Sequence, residues 1–187
     1  MKVGIISDTH GHENRWALAY EKFFKDADLI LHAGDVIYHG PRNPMLEDYH
    51  PAGLAERINT SPVPVIIAKG NCDSEVDAMV LEGPVQTPYA YVMMEGLRIV
   101  VTHGHTVESD EEKDAMARHL KADIFISGHI HTNVLERRGE TIFLNPGSPA
   151  LSKREDKRST VAVLTDEKIE IVDIDSGEVL MSLRIKA

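Results

Sequence analysis

Five times along this chain an apolar run rich in β-branched residues ends in a short polar cluster. VGIIS leads into Asp8-Thr9-His10, LILHA into Gly34-Asp35, VIIAK into Gly70-Asn71-Cys72-Asp73, RIVVT into His103-Gly104-His105, and DIFIS into Gly128-His129-Ile130-His131. Short unbroken apolar runs suit strands covered on both faces, the pattern of parallel sheets flanked by helices. In such sheets the groups just past the strand C-termini gather along one edge, where open α/β folds place their ligands. The repeat therefore predicts an α/β fold in which the five clusters converge.

The convergent groups are two Asp carboxylates, one Asn amide oxygen and several imidazoles, a mixed oxygen and nitrogen set suited to divalent transition metals. Residues two apart in extended chain point to the same side, so Asp8 with His10, and His129 with His131, can each present a pair to one centre. Glycine beside these positions permits tight turns and close backbone approach. Asp35, between the other clusters in sequence, is the candidate bridge, since paired metals about 3.5–4 Å apart can share one carboxylate. A single Asp or His at a strand end is more often a cap or a satisfied polar group. A whole ordered set would be costly to bury without a cation.

The chain has 187 residues, 42% hydrophobic and 27% charged. That length is expected to form one domain over residues 1–187, burying roughly 70% of its unfolded surface. A formal charge of −10 argues against a partner held by backbone phosphates alone, such as a long nucleic acid. A small phosphorylated substrate is compatible if metal supplies the positive charge. Two dications against Asp8 and Asp35 leave about +2 at such a centre. Cys72 is the single cysteine, so no internal disulfide is expected. Polar Asp8 arrives before a signal-peptide core could form, and no apolar run approaches the roughly 20 residues of a membrane span. These features predict a cytoplasmic protein without a membrane partner.

Strands are expected at 2–7, 29–33 and 65–68, with an amphipathic helix over 13–25 that offers Trp16, Ala19, Tyr20 and Phe23 on one face. A hairpin of 89–94 and 97–102 turns at Glu95-Gly96. Ser109 and Glu112 have the spacing of a capping box for a helix over 110–121, and the acidic run from Glu108 to Asp114 reads as its solvated start. After a strand at 124–127 the pattern turns antiparallel, with strands at 134–138, 141–144, 160–165, 168–174 and 179–185. Two packed sheets flanked by helices follow.

The ordered motifs D-x-H, GD, GN-x-D, H and GH-x-H resemble those of the calcineurin-like metallophosphoesterases over roughly residues 1–150. Gly40-Pro41-Arg42-Asn43-Pro44 and Gly70-Asn71-Cys72-Asp73 resemble the small bacterial phosphodiesterases of the YfcE type in particular. The resemblance implies a four-layer α/β/β/α sandwich of two mixed sheets. It implies one metal held by Asp8, His10, Asp35 and His131 and a second by Asp35, Asn71, His103 and His129. Asp35, Asn71, Cys72, Asp73 and His103 form the expected catalytic group. The implied reaction is hydrolysis of small phosphodiesters by a hydroxide bridging two divalent ions. Manganese suits the shell first, with iron, zinc, nickel or cobalt following. A protein-binding scaffold of the same fold is the alternative, as is a phosphomonoesterase or protein phosphatase. A homo-oligomer is compatible with either.

One position departs from the family's commonest pattern. Cys72 stands where many members carry a histidine after the metal-binding Asn, and a thiol donates a weaker hydrogen bond than an imidazole. The long segment 36–53 follows Asp35 directly and carries Arg42, suited to a two-pronged grip on phosphate. His105 is a second expected substrate or ligand-supporting contact. His32 in its apolar strand reads as a hydrogen-bonded core histidine, and His119 in its charged helix as a surface residue. Asn145-Pro146-Gly147-Ser148 either closes the site from the far side or simply turns.

Overall fold

The structure, a computed structural model, describes residues 1–107 and 109–186. Glu108, at the start of the acidic run, lies outside the described residues.

The first sheet is built on β1 (Lys2–Ile6), β2 (Leu29–His32), β3 (Val65–Ala68) and β4 (Val85–Gln86), all mutually parallel. On its other side β10 (Thr160–Thr165), β11 (Lys168–Asp173) and β12 (Val179–Arg184) add antiparallel strands, in the order β12-β11-β10-β1-β2-β3-β4. The second sheet has the order β5-β6-β7-β9-β8, from β5 (Ala90–Met94), β6 (Leu97–Val101), β7 (Ile124–Ile126), β8 (Asn133–Arg138) and β9 (Thr141–Pro146). Here β6, β7 and β9 are parallel, so the expectation that only antiparallel pairing follows residue 127 holds for β8 with β9 but not for β7 with β9. The run Ile142-Phe143-Leu144 is buried on both faces, with Ile142 and Leu144 toward the other sheet and Phe143 on the opposite side, as for a strand inside a sheet covered on both faces.

Strand alternation sorts the side chains into layers. Val3, Ile5, Leu29 and Leu31 meet Ile99, Val101, Ile124, Ile126 and Leu144 between the sheets. Ile6, Ile30 and Ile67 face outward onto α1 (Glu13–Ala19) and α2 (Pro51–Asn59). Val100, Phe125 and Phe143 cover the opposite face beneath α4 (Asp110–His119). The result is the four-layer α/β/β/α sandwich.

The first helix does not run as one α-helix through residue 25. After Ala19 it passes into a π-helical turn over Tyr20–Phe24. The wider turn shifts the buried face by a residue, so Phe24, rather than the expected Phe23, is fully buried. Its ring lies against the backbone of Gly4, where any side chain would collide with it. The remaining helix, α3 (Glu75–Val80), is short and buries none of its residues.

Because β1, β2 and β3 run parallel, as do β6, β7 and β9, the loops that leave their C-termini face one another across the top of the sandwich. This shared edge carries the five polar clusters.

Candidate metal centre

Beyond β1 and β2 the two backbones continue to pair. Asp8 N–H donates to Gly34 O at 3.0 Å, His10 N–H to Asp35 O at 3.0 Å, and Gly11 N–H to Val36 O at 2.8 Å. Asp8, His10, Asp35, His129 and His131 all have positive φ, between 46° and 72°. The left-handed region costs an L-residue roughly 1–2 kcal/mol, and clustered strain of this kind is held only where the surroundings enforce it, commonly at functional sites. The left-handed conformation turns each side chain back over the strand end toward the centre.

Each of three histidines is oriented by a backbone carbonyl. His10 Nδ1 contacts Tyr38 O, His103 Nδ1 contacts Ala33 O and His131 Nδ1 contacts Leu151 O, each at 2.7 Å. A carbonyl only accepts, so Nδ1 carries the proton in all three and Nε2 is left to face the centre. His10 Nε2 and His131 Nε2 lie 3.3 Å apart. Asp8 Oδ1 is 3.2 Å from His131 Nε2 and 3.8 Å from His10 Nε2. Asp35 Oδ2 is 3.6 Å from His10 Nε2 and 3.2 Å from His103 Nε2. His129 Nδ1 then lies 3.3 Å from His103 Nε2. Asp35 thus touches both halves of the row.

Asp8 Oδ1 is buried without a hydrogen-bond partner among the described residues. Neutral imidazoles would aim lone pairs at it and at one another, an arrangement that only a cation among them relieves. Asp8 with His10 and His131, and Asp35 with His103 and His129, form two groups whose ligand atoms lie within 4.8 Å of one another. The donors fit divalent cations. A third grouping joins His10 and Asp35 to Cys72.

The electrostatics point the same way. Burial penalises the Asp35 carboxylate, but hydrogen bonding and charge from His103 hold it well below the usual carboxylate range. Burial likewise opposes a charged His103, yet the hydrogen bond to Asp35 and the charges of Asp8 and Asp35 push its imidazolium up to about 9. A proton on His103 here takes the place suited to a metal cation. Burial lowers His10 and His129. Cys72 is pushed up to about 12, first by burial and then by the Asp35 charge, so its thiol keeps its proton.

Close packing needs glycine at two places. A Cβ at Gly70 would strike the Asp35 carboxylate, and one at Gly128 would strike Ser7 Oγ and crowd Asp8. Asp73 accepts from the backbone N–H of Asp35, Val36 and Gly70 at 2.7–2.8 Å, tying the loops after β2 and β3 together beneath the centre. Its carboxylate is thereby engaged away from the row of ligand atoms. Asn71 and Cys72 face the cleft, with Asn71 Nδ2 3.4 Å from Cys72 Sγ.

The cleft has a volume of about 630 Å³ and is also lined by Asp35, His129 and Arg42, with Asn43 and Lys153 on its walls. Lys153 was not singled out by the sequence; its link to the site is the backbone, where Lys153 N–H donates to His131 O at 3.0 Å. His105 packs beside the row, its ring centroid 5.4 Å from that of His103. The segment 145–148 supports the loops from below: Asn145 Nδ2 donates to Gly128 O and Ser148 Oγ to Asp8 O. His119 is exposed and remote from this edge.

Two mixed sheets packed face to face, with carboxylates and imidazoles converging where their parallel strands end, define the metallophosphoesterase fold. The model for the calcineurin-like phosphoesterase superfamily domain matches residues 1–168, and the chain belongs to that superfamily. Among curated relatives it is similar to phosphodiesterase YfcE of Escherichia coli strain K12, at 35% identity over 99% of this chain and 98% of the relative. A solved structure of YfcE, a phosphoesterase from E. coli, superposes with a TM-score of 0.87 at 32% identity, covering 100% of both chains. Vps29 of Entamoeba histolytica, solved with zinc, shares the fold at a TM-score of 0.67 and 21% identity. Membership of the superfamily implies divalent metal ions.

Proposed function

We propose that this protein is a phosphodiesterase that hydrolyses small phosphorylated substrates with two divalent metal ions, acting through residues 1–187 as one unit. The observation that carries the proposal is the row of inward-facing Nε2 atoms around Asp8 Oδ1 and Asp35 Oδ2, an electron-rich pocket shared between two donor groups. Asp8, His10, Asp35 and His131 would hold one ion, and Asp35, Asn71, His103 and His129 the other. Manganese is the first choice for this shell, followed by iron, zinc, nickel or cobalt. When bound, such ions supply Lewis acidity to the phosphoryl group and lower the pKa of water into the neutral range.

The protein's own groups do the rest. Asp8 and Asp35 fix the charge and spacing of the centre, and Asp73 positions Asp35 by holding its backbone amide. Arg42 and Lys153, on the cleft walls, offset the negative charge of a diester and orient it. His105 supports His103 and His129 from the side. Cys72 presents a protonated thiol, a weak donor, so the site favours diesters whose leaving group needs little proton donation.

A panel of aryl and alkyl phosphodiesters and monoesters, assayed with and without manganese, tests the proposal. Metal-dependent turnover highest on an activated diester is expected. Absence of diester hydrolysis with every metal tried, in folded protein, would overturn it.

A further inference from the structure

His32 ends β2 three residues before Asp35 and is fully buried, yet both of its ring nitrogens are engaged. Gly34 N–H donates to His32 Nδ1 at 3.1 Å. Because Nδ1 accepts, the ring proton sits on Nε2, which lies 2.9 Å from Thr9 Oγ1. Thr9 in turn donates its hydroxyl proton to Val36 O at 2.9 Å. The imidazole is stacked on Trp16 of α1, with ring centroids 6.2 Å apart and planes 19° from parallel. With no nitrogen to spare, His32 is no ligand. It instead links Thr9, flanked by Asp8 and His10, to Gly34, which precedes Asp35.

Both of the loops so linked are strained. Asp8, His10 and Asp35 all hold positive φ, and Gly34 does as well, at 88°. The backbone bonds from Asp8 to Gly34 and from His10 to Asp35 run between the same loops. Main-chain pairing joins the two loops along one line, and the Thr9–His32–Gly34 chain adds a buried side-chain brace between them, backed by Trp16 of α1. A buried, fully satisfied polar chain of this kind fixes one arrangement, because breaking any link strands a buried donor or acceptor.

We propose that His32 is a positioning residue that sets the distance of Asp35 from Asp8 and His10, and so controls whether two metal ions can share the Asp35 carboxylate. The inference rests on the two-metal reading above.

The test uses the full chain with manganese as probe. His32→Leu removes both hydrogen bonds at similar volume, Thr9→Val removes the hydroxyl at constant shape, and Thr9→Ser restores it. Calorimetry should show the second manganese bound at least tenfold more weakly in His32→Leu and Thr9→Val than in the wild type or Thr9→Ser. The exchange-coupled electron paramagnetic resonance signal of a manganese pair should give way to that of isolated ions. The double variant His32→Leu/Thr9→Val should be little worse than either single change. In metal-free protein, amide exchange at Asp8, His10 and Gly11 should accelerate at least tenfold relative to amides in β1. Folded His32→Leu with wild-type metal affinity, coupled signal and exchange rates would overturn the inference, as would equal losses in Thr9→Val and Thr9→Ser. Should His32→Leu not fold, the Thr9 pair decides. If the wild type binds no manganese pair, the two-metal reading fails, and the amide-exchange comparison still decides whether His32 positions the loops.

Discussion

Asp35 meets His103 at 3.2 Å through Oδ2, while its other oxygen, Oδ1, accepts the backbone N–H of Cys72 at 2.8 Å. One oxygen is thus fixed by the chain, and the other is left between His103 and His10. Removing the charge while keeping the shape isolates this relationship. Asp35→Asn should lower kcat by at least about a thousandfold, the scale expected when charge stabilisation in a transition state is lost. His129→Ala should do likewise, whereas exposed His119→Ala should stay within about twofold. Steady-state kinetics on an activated diester, with metal content measured for each variant, checks this.

The metal-free protein should lose stability on both sides of a near-neutral optimum. His103 is raised to about 9 when folded, so its contribution is present below its unfolded pKa near 6.5 and fades as pH climbs toward 9. His32 is lowered to about 3, chiefly by burial, so the unfolded chain binds the proton first and stability falls as pH drops below about 6.5. Thermal melts across pH 4–10 should show both limbs, each amounting to a few kcal/mol. Manganese should flatten the alkaline limb, because the cation replaces the His103 proton. His32→Leu should flatten the acid limb.

Arg42 and Lys153 bracket the cleft without belonging to the row of ligand atoms. Arg42→Ala and Lys153→Ala should each raise KM for a diester about three- to tenfold and leave metal stoichiometry unchanged. Their effects should shrink as salt is raised, since both side chains are exposed to solvent. A loss of bound metal in either variant would contradict a substrate-binding role.

Cys72 tests how the leaving group departs. Cys72→Ser should retain substantial kcat/KM on an activated diester, while Cys72→His should improve turnover of esters with poorer leaving groups, where a proton donor matters. Complete loss in folded, metal-loaded Cys72→Ser, together with a phosphoryl-cysteine adduct, would assign the thiol a covalent role.

Much of this was legible because strand and site share one signal. An apolar run ending in a short cluster of Asp, Asn or His, with a glycine in or beside it, marks both a buried strand and the residues beyond it, so the positions of β1, β2, β3, β6 and β7 and their polar clusters are readable together. Capping chemistry was equally local: Ser109 accepts from Glu112 N–H as the spacing predicts. What escaped depends on tertiary contact. The π-helical turn that buries Phe24 instead of Phe23 is favoured by the bare backbone of Gly4 on a neighbouring strand. The engagement of Asp73 with three backbone amides requires two loops to be adjacent. Lys153 reaches the cleft only through pairing of its backbone with His131, 22 positions earlier in the chain.

The most direct measurement is the metal content of manganese-loaded, fully active protein, combined with anomalous diffraction at the manganese edge. Two peaks per chain are expected, one beside Asp8 and His131, the other beside His103 and His129, with the Asp35 carboxylate between them. A single occupied position at full activity would contradict the two-metal centre and with it the mechanism proposed here.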